Sequence, residues 1–184
     1  EQLPCVTRDG VEISLLANIG RPEEIQKVEE HYLGGAGLFR TELLFLESHE
    51  RPSYEIQFEM YANMAKGLEG LPLVIRTFDL GGDKLPPFLL LEASETHVGL
   101  HLRGLRFSLA EQRLLDTQLR AILQVAQTSD VRILFPRVSG RDDLAGAMAA
   151  RNVVMQCPAR PQRHKYHVAL GAFSRLADRF GHFT

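Results

Sequence analysis

Short apolar runs alternate with amphipathic helical stretches four times along this chain, and that alternation restricts its fold most. Glu12 to Ile19, Ala36 to Arg40, the run starting Leu73-Val74-Ile75, and Val131 to Phe135 read as strands. Between them, apolar residues recur three and four apart, the period of a helix with one buried face. Parallel pairing follows, because a helical crossover returns the chain to the same end of the sheet. The chain therefore reads as α/β with a parallel sheet. Its 184 residues suffice for one domain with a sizeable core.

The helices carry their own signals. Pro22 suits a first turn, Glu23 and Glu24 suit its positive end, and Ile25, Val28 and Tyr32 share a face that Gly34-Gly35 terminates. Ser53 is placed to cap a helix that buries Phe58, Tyr61, Ala65 and Leu68, with Met60 and Met64 as core and Gly67 and Gly70 at its close. Ser108-Leu109-Ala110-Glu111 has the spacing of a capping box, ahead of a helix burying Leu115, Leu119, Ile122 and Ala126. A last helix is predicted over Arg141 to Arg151, and a long irregular loop over Lys84 to His101.

Charge is concentrated where two of the strands end. Phe39-Arg40-Thr41-Glu42 closes the second, and Arg76-Thr77-Phe78-Asp79-Leu80-Gly81-Gly82-Asp83-Lys84 closes the third. One such end reads equally well as a salt bridge beside a glycine turn. Two alike point to a site at the carboxyl ends of the strands, where α/β folds bind ligands. Asn18, at the end of the first strand, reads on residue type alone as a turn residue bonded to its own backbone.

These motifs resemble the phosphoenolpyruvate-binding domain of enzyme I of the bacterial sugar phosphotransferase system, a phosphoenolpyruvate-protein phosphotransferase. The resemblance runs from about Val11 to Val138. Pyruvate phosphate dikinase and phosphoenolpyruvate synthase share the Arg-Thr-Glu signature but look less like Gly81-Gly82-Asp83-Lys84. The resemblance implies a partial (β/α)8 TIM barrel of four to five βα units, since a closed barrel needs roughly 250 residues. Residues 1–140 would be its first half and residues 141–184 a divergent tail holding a remnant of the fifth strand and helix. It also implies that Arg40, Arg76 and Arg103 contact the phosphate of phosphoenolpyruvate. Glu42, Asp79 and Asp83 would orient them, Asn18 gains a role in the site, and Lys84 belongs either to this shell or to a loop salt bridge. Arg103 is the matching arginine in His101-Leu102-Arg103-Gly104-Leu105-Arg106, although the segment upstream, Thr96-His97-Val98-Gly99-Leu100, departs from the family's Asn-Pro-x-Leu-Gly.

The family uses Mg2+, held partly by a glutamate on the fifth strand. Here Val153-Val154-Met155-Gln156-Cys157-Pro158-Ala159 aligns with that strand and puts Gln156 at the ligand position. A neutral amide is a weaker Mg2+ ligand than a carboxylate, so the chain is not expected to bind the ion itself. No catalytic residue and no metal ligand is assigned within it. In the family the phosphoryl group passes to a histidine of a phosphocarrier pathway, and the barrel domain forms a homodimer. The fragment is expected to keep part of an anion site without turning over. A non-catalytic anion-binding or regulatory module is the alternative reading.

Composition limits the remaining classes. A net charge of −2 gives no bulk attraction to nucleic acid or to a membrane surface. The two cysteines, Cys5 and Cys157, lie far apart and indicate neither a zinc site nor a disulfide scaffold. With no signal-peptide pattern or long apolar run, a cytoplasmic location is expected. The absence of an initiating Met suggests a piece of something longer. His164 and His167 are three apart and share a face if the basic tail is helical, where they read as a solvated face before a metal pair.

Overall fold

Five parallel strands pair in the order β1-β2-β3-β4-β5, each with the next along the chain. They are β1 (Ala17–Ile19), β2 (Ala36–Arg40), β3 (Leu73–Arg76), β4 (Val131–Phe135) and β5 (His167–Leu170). A doubly wound sheet reverses its order at a switch point, whereas a (β/α)8 barrel does not. The unbroken order is that of a partial TIM barrel. The computed structural model describes residues 4–46, 48–80, 85–92, 102–155 and 167–170.

The helices that cover this sheet follow their strands. A 3-10 turn at Pro22–Ile25 leads into α1 (Gln26–Glu30), and α2 (Glu42–Leu46) and α3 (Tyr54–Gly67) follow β2. Between β3 and β4 come α4 (Pro87–Glu92), α5 (Leu105–Ala110) and α6 (Gln112–Val125), and α7 (Arg141–Met155) follows β4. Ser53 caps α3 as expected, accepting a hydrogen bond from Ile56 N at 3.3 Å.

The main core lies between the sheet and α3, α6 and α7. Phe39, Ile75, Ile133 and Phe135 meet Tyr61, Met64, Leu119, Ile122 and Ala147 there. Phe39 and Tyr61 pack edge to face, with ring centroids 6.3 Å apart. Full burial of each such side chain contributes about 1.5–3 kcal/mol. A bulge between Ala36 and Phe39 turns both residues towards this core, although plain alternation would separate them. Gly35, at φ +132°, lets β2 start close to β3, because a Cβ there would lie 2.5 Å from Pro72 O.

Several expectations are corrected. The first strand is only three residues long; Val11, Ile13, Leu15 and Leu16 before it are exposed, and Glu12 forms an isolated antiparallel bridge with Val6. Tyr32 lies beyond the end of α1 at φ +53° and is exposed, so it shares no buried face with Ile25 and Val28. Ser108 makes no capping box. It sits inside α5, where its hydroxyl donates to Gly104 O (3.2 Å) and Phe78 O (3.4 Å), and Glu111 precedes α6 without a side-chain cap. Pro87–Glu92 is a helix inside the predicted loop. Val153, Val154 and Met155 end α7 and are not strand, while the fifth strand begins at His167. His167 therefore lies in a strand and not on a helical face. Gln156, Cys157 and His164 lie outside the described residues.

Candidate functional site

In-register pairing sets Arg40 on β2 opposite Arg76 on β3. Phe39 and Ile75 face the helices, so the next residue on each strand faces the other way. Both arginines thus stand at the carboxyl ends of their strands, on the face turned from the helices. Arg76 donates through Nη2 to Glu42 Oε1, and its Nη1 lies 3.7 Å from Asp79 Oδ2. The other oxygen of Asp79 accepts from Arg137 Nε at 2.8 Å and lies 4.0 Å from Arg103 Nε. Three guanidinium groups from three segments therefore gather on one carboxylate that is 13% exposed.

Arg40 is held differently. Its Nη2 lies over Gly20, where a Cβ would approach it to 2.9 Å, and its Nε is buried without a hydrogen-bond partner. Arg76 Nε, Glu42 Oε2 and Thr77 Oγ1 are buried unpaired as well. Each such group costs about 1–3 kcal/mol if nothing satisfies it. Arg40, Arg76, Arg103 and Arg137 outnumber Glu42 and Asp79, so the described cluster carries a positive surplus. Such an arrangement suits an anion with several acceptor oxygens.

Two supports hold the strand ends in place. The first is a buried polar chain centred on Gln118 of α6. Its Nε2 donates to Thr41 Oγ1 (3.1 Å) and Tyr61 Oη (3.0 Å), and its Oε1 accepts from Phe78 N (3.1 Å). Thr41 Oγ1 donates to Arg76 O at 2.7 Å, and Tyr61 Oη donates to Gln57 Oε1 at 3.2 Å. Burial pushes the Tyr61 phenol well above its ordinary pKa, so it remains a donor. The second support is a small apolar cluster of Phe45, Phe78, Leu80, Phe88, Leu89, Phe107 and Leu114 beneath the loops. The Phe45 and Phe78 rings, 3.9 Å apart at 71°, tie the segments after both arginine strands together.

The segment bearing Arg103 is anchored separately. Gly104 N donates to Leu80 O at 2.8 Å, just before α5 begins. Arg106, on the first turn of α5, donates to both oxygens of Asp143 (2.9 and 3.3 Å), fixing α5 to α7. The Asp143 carboxyl drops to a pKa of about 2, chiefly through its hydrogen bond from Arg106 and then that from Ser139. Of the two arginines in this motif, one reaches the cluster and the other locks a helix.

The structure thus brings Arg76, Arg103, Glu42 and Asp79 into contact and sets Arg40 beside them by strand register. Glu42 opens α2 and is not part of the strand. Asn18 is exposed on β1, paired with Leu38 two residues before Arg40, and so shares the arginine face. Asp83 and Lys84 lie outside the described residues. Sequence reading missed Arg137 and Gln118. Arg137 follows Pro136 just past β4, so the strand-end rule that found Arg40 and Arg76 finds it too. Gln118 is a polar residue on the face buried by Leu115, Leu119 and Ile122. Among the described residues no group of three or more His, Cys, Asp or Glu side chains is arranged to hold a metal. Glu42 and Asp79 are engaged by guanidinium groups, so these residues do not fit a Mg2+ site. A recess of about 580 Å³ lined by Arg51, Glu111, Arg113 and Thr117 shares no residue with the cluster.

A parallel partial barrel with arginines gathered at the carboxyl ends of its strands is the architecture of an anion-binding α/β domain. The family model described as "PEP-utilising enzyme, PEP-binding domain" matches residues 1–172, and the chain belongs to that family. The match extends past Val138, through α7 and β5. The chain is 41% identical over 134 residues to the phosphoenolpyruvate-protein phosphotransferase of Latilactobacillus sakei, covering 73% of this chain and 23% of that protein. It is 36% identical over 146 residues to the protein of that name from Bacillus subtilis (strain 168), covering 79% and 25%. It is 38% identical over 159 residues to the multiphosphoryl transfer protein of Rhodobacter capsulatus, covering 86% and 19%. The chain spans about a quarter or less of the length of these curated relatives. No helix among the described residues is long and apolar enough to cross a membrane.

Proposed function

We propose that the chain is the phosphoenolpyruvate-binding part of a phosphoenolpyruvate-protein phosphotransferase, with Arg40, Arg76 and Arg103 holding the phosphate. The observation that carries this reading is the pair Arg40 and Arg76 in register, each with a buried Nε that lacks an acceptor, and Arg40 with no carboxylate partner at all. Phosphoenolpyruvate brings phosphate and carboxylate oxygens, which planar guanidinium groups bind two at a time. Glu42 and Asp79 fix the plane of Arg76, and Asn18 shares the arginine face. By resemblance Asp83 would orient the arginines too, and Lys84 would serve either this shell or a loop salt bridge.

In the whole protein, the bond between phosphorus and the enol oxygen breaks as a bond from phosphorus to a histidine nitrogen forms. The enolate leaves and takes up a proton to become pyruvate. The arginines lower the barrier by positioning the phosphoryl group and by balancing charge on its oxygens. The acceptor is a histidine of the phosphotransferase system, and transfer proceeds on to a phosphocarrier in the cytoplasm. Mg2+ serves the full-length family and is not bound by this chain, and pairing of two barrel domains gives a homodimer. This chain by itself binds without turning over, because in the family the histidine that accepts the phosphoryl group lies on a separate domain.

Calorimetric titration of the chain with phosphoenolpyruvate tests the reading. Saturable binding, competed by inorganic phosphate and weakened at least tenfold in Arg40→Met, is expected. Absence of binding overturns it, and steady consumption of phosphoenolpyruvate by the chain alone overturns the statement on turnover.

A further inference from the structure

We propose that Arg137 is a positioning residue: by occupying Asp79 Oδ1 it keeps that carboxylate from capturing Arg103, whose guanidinium is thereby left for the anionic ligand. The inference rests on the reading of the cluster as a phosphoenolpyruvate site and adds to it a residue from the fourth strand end.

Three features of the structure converge on this role. Arg137 Nε and Arg103 Nε approach the same oxygen, at 2.8 Å and 4.0 Å, so the nearer donor holds it and the farther one does not form a hydrogen bond. Arg137 adopts φ +55°, a left-handed backbone that a residue with a Cβ takes up only when its surroundings enforce it. Its aliphatic stem lies across Gly104, the residue after Arg103, where a Cβ would stand 2.8 Å from Arg137 Cδ and 3.1 Å from Cγ. The strained turn aims the side chain and the missing Cβ gives it a path. Both act beside Arg103.

Asp79 does not need Arg137 for neutralisation alone, because Arg76 already lies 3.7 Å from its other oxygen. What Arg137 changes is the competition for Oδ1. Without it, Arg103 is the nearest free donor and closes the gap to the carboxylate. A guanidinium paired with a half-buried carboxylate is a poorer partner for phosphate, since the pair must break before the anion binds.

The test is a double-mutant cycle on the full chain, with phosphoenolpyruvate titrated calorimetrically and the Arg103 Nε–H resonance followed by NMR. Arg137→Gln is expected to weaken binding about tenfold, and Arg137→Lys to recover part of the loss. In an Asp79→Asn background the same Arg137→Gln change is expected to alter affinity by less than about twofold, because no carboxylate remains to capture Arg103. In the ligand-free chain, Arg137→Gln is expected to move the Arg103 Nε–H resonance and slow its exchange with water, and Asp79→Asn to abolish that response. Equal losses in both backgrounds mean that Arg137 contributes charge only and overturn the proposal. An unmoved Arg103 resonance overturns it as well. Should the parent chain fail to bind phosphoenolpyruvate, the function reading falls, while the NMR response still decides whether Arg137 governs Arg103. Arg137 is 48% exposed, and an unchanged melting temperature of the variants separates these outcomes from misfolding.

Discussion

The ends of β2 and β3 are almost the same in sequence and opposite in how they are satisfied. Each runs arginine, threonine and then, within three residues, a carboxylate. Yet both carboxylates serve Arg76, and Arg40 receives neither. The threonines divide in the reverse sense: Thr41 donates to Arg76 O and accepts from Gln118, whereas Thr77 Oγ1 is buried with no partner. Like motifs on adjacent strands thus produce one end whose guanidinium is held by two carboxylates and one that is left open. The proposed site uses both, the closed end to fix geometry and the open end to supply affinity.

The largest expected effect comes from breaking the closed end. Arg76→Ala strands Glu42, which is 14% exposed, and leaves Asp79 to Arg137 alone, and should cost about 3–5 kcal/mol in chemical denaturation. A loss below about 1 kcal/mol would mean that the two ends are equivalent after all. At the open end the balance inverts. Arg40→Met should leave stability within about 0.5 kcal/mol or raise it, while removing about 2 kcal/mol of phosphoenolpyruvate binding by calorimetry. The threonines give a sharper version of the same contrast. Thr41→Val should cost about 1–2 kcal/mol, because Gln118 and the Arg76 carbonyl lose a partner, whereas Thr77→Val should be neutral or slightly stabilising.

The smallest effect concerns the anchor behind Arg103. The folded Asp143 carboxyl titrates near 2, below the ordinary value near 4 expected of it in the unfolded chain. Its contribution is therefore present above about pH 4 and fades as the pH falls from there to about 2. Arg106 is 58% exposed, so solvent screens the pair and the loss should be about 1 kcal/mol. Urea titrations of the parent and Asp143→Asn should converge over that window, and parallel pH profiles would contradict the assignment.

What was legible in the sequence follows from how each element is stabilised. β2 and β4 match their predicted bounds because strands buried in a parallel sheet are compact apolar runs. β1 does not, since the alternation from Glu12 onward gives apolar residues that stay exposed until Ala17 pairs with Ala36. The capping-box pattern at Ser108 loses to tertiary demand: the hydroxyl is drawn to Phe78 O, and the helix breaks at Glu111 instead. The arginines at the strand ends were legible as residue types in a periodic frame. Their unequal pairing was not, because it depends on which side chains reach across strands and on a residue, Arg137, whose backbone conformation no local pattern announces.

The pairing of Arg40 with Arg76 across two strands has a consequence for assembly. A slip of one residue along β2 would swing Arg40 to the opposite side of the sheet, among Phe39's aromatic neighbours, where a guanidinium has no water and no counter-ion. The side chain proposed to hold an anion therefore also acts as a proofreader, making misaligned versions of the barrel wall too unfavourable to persist.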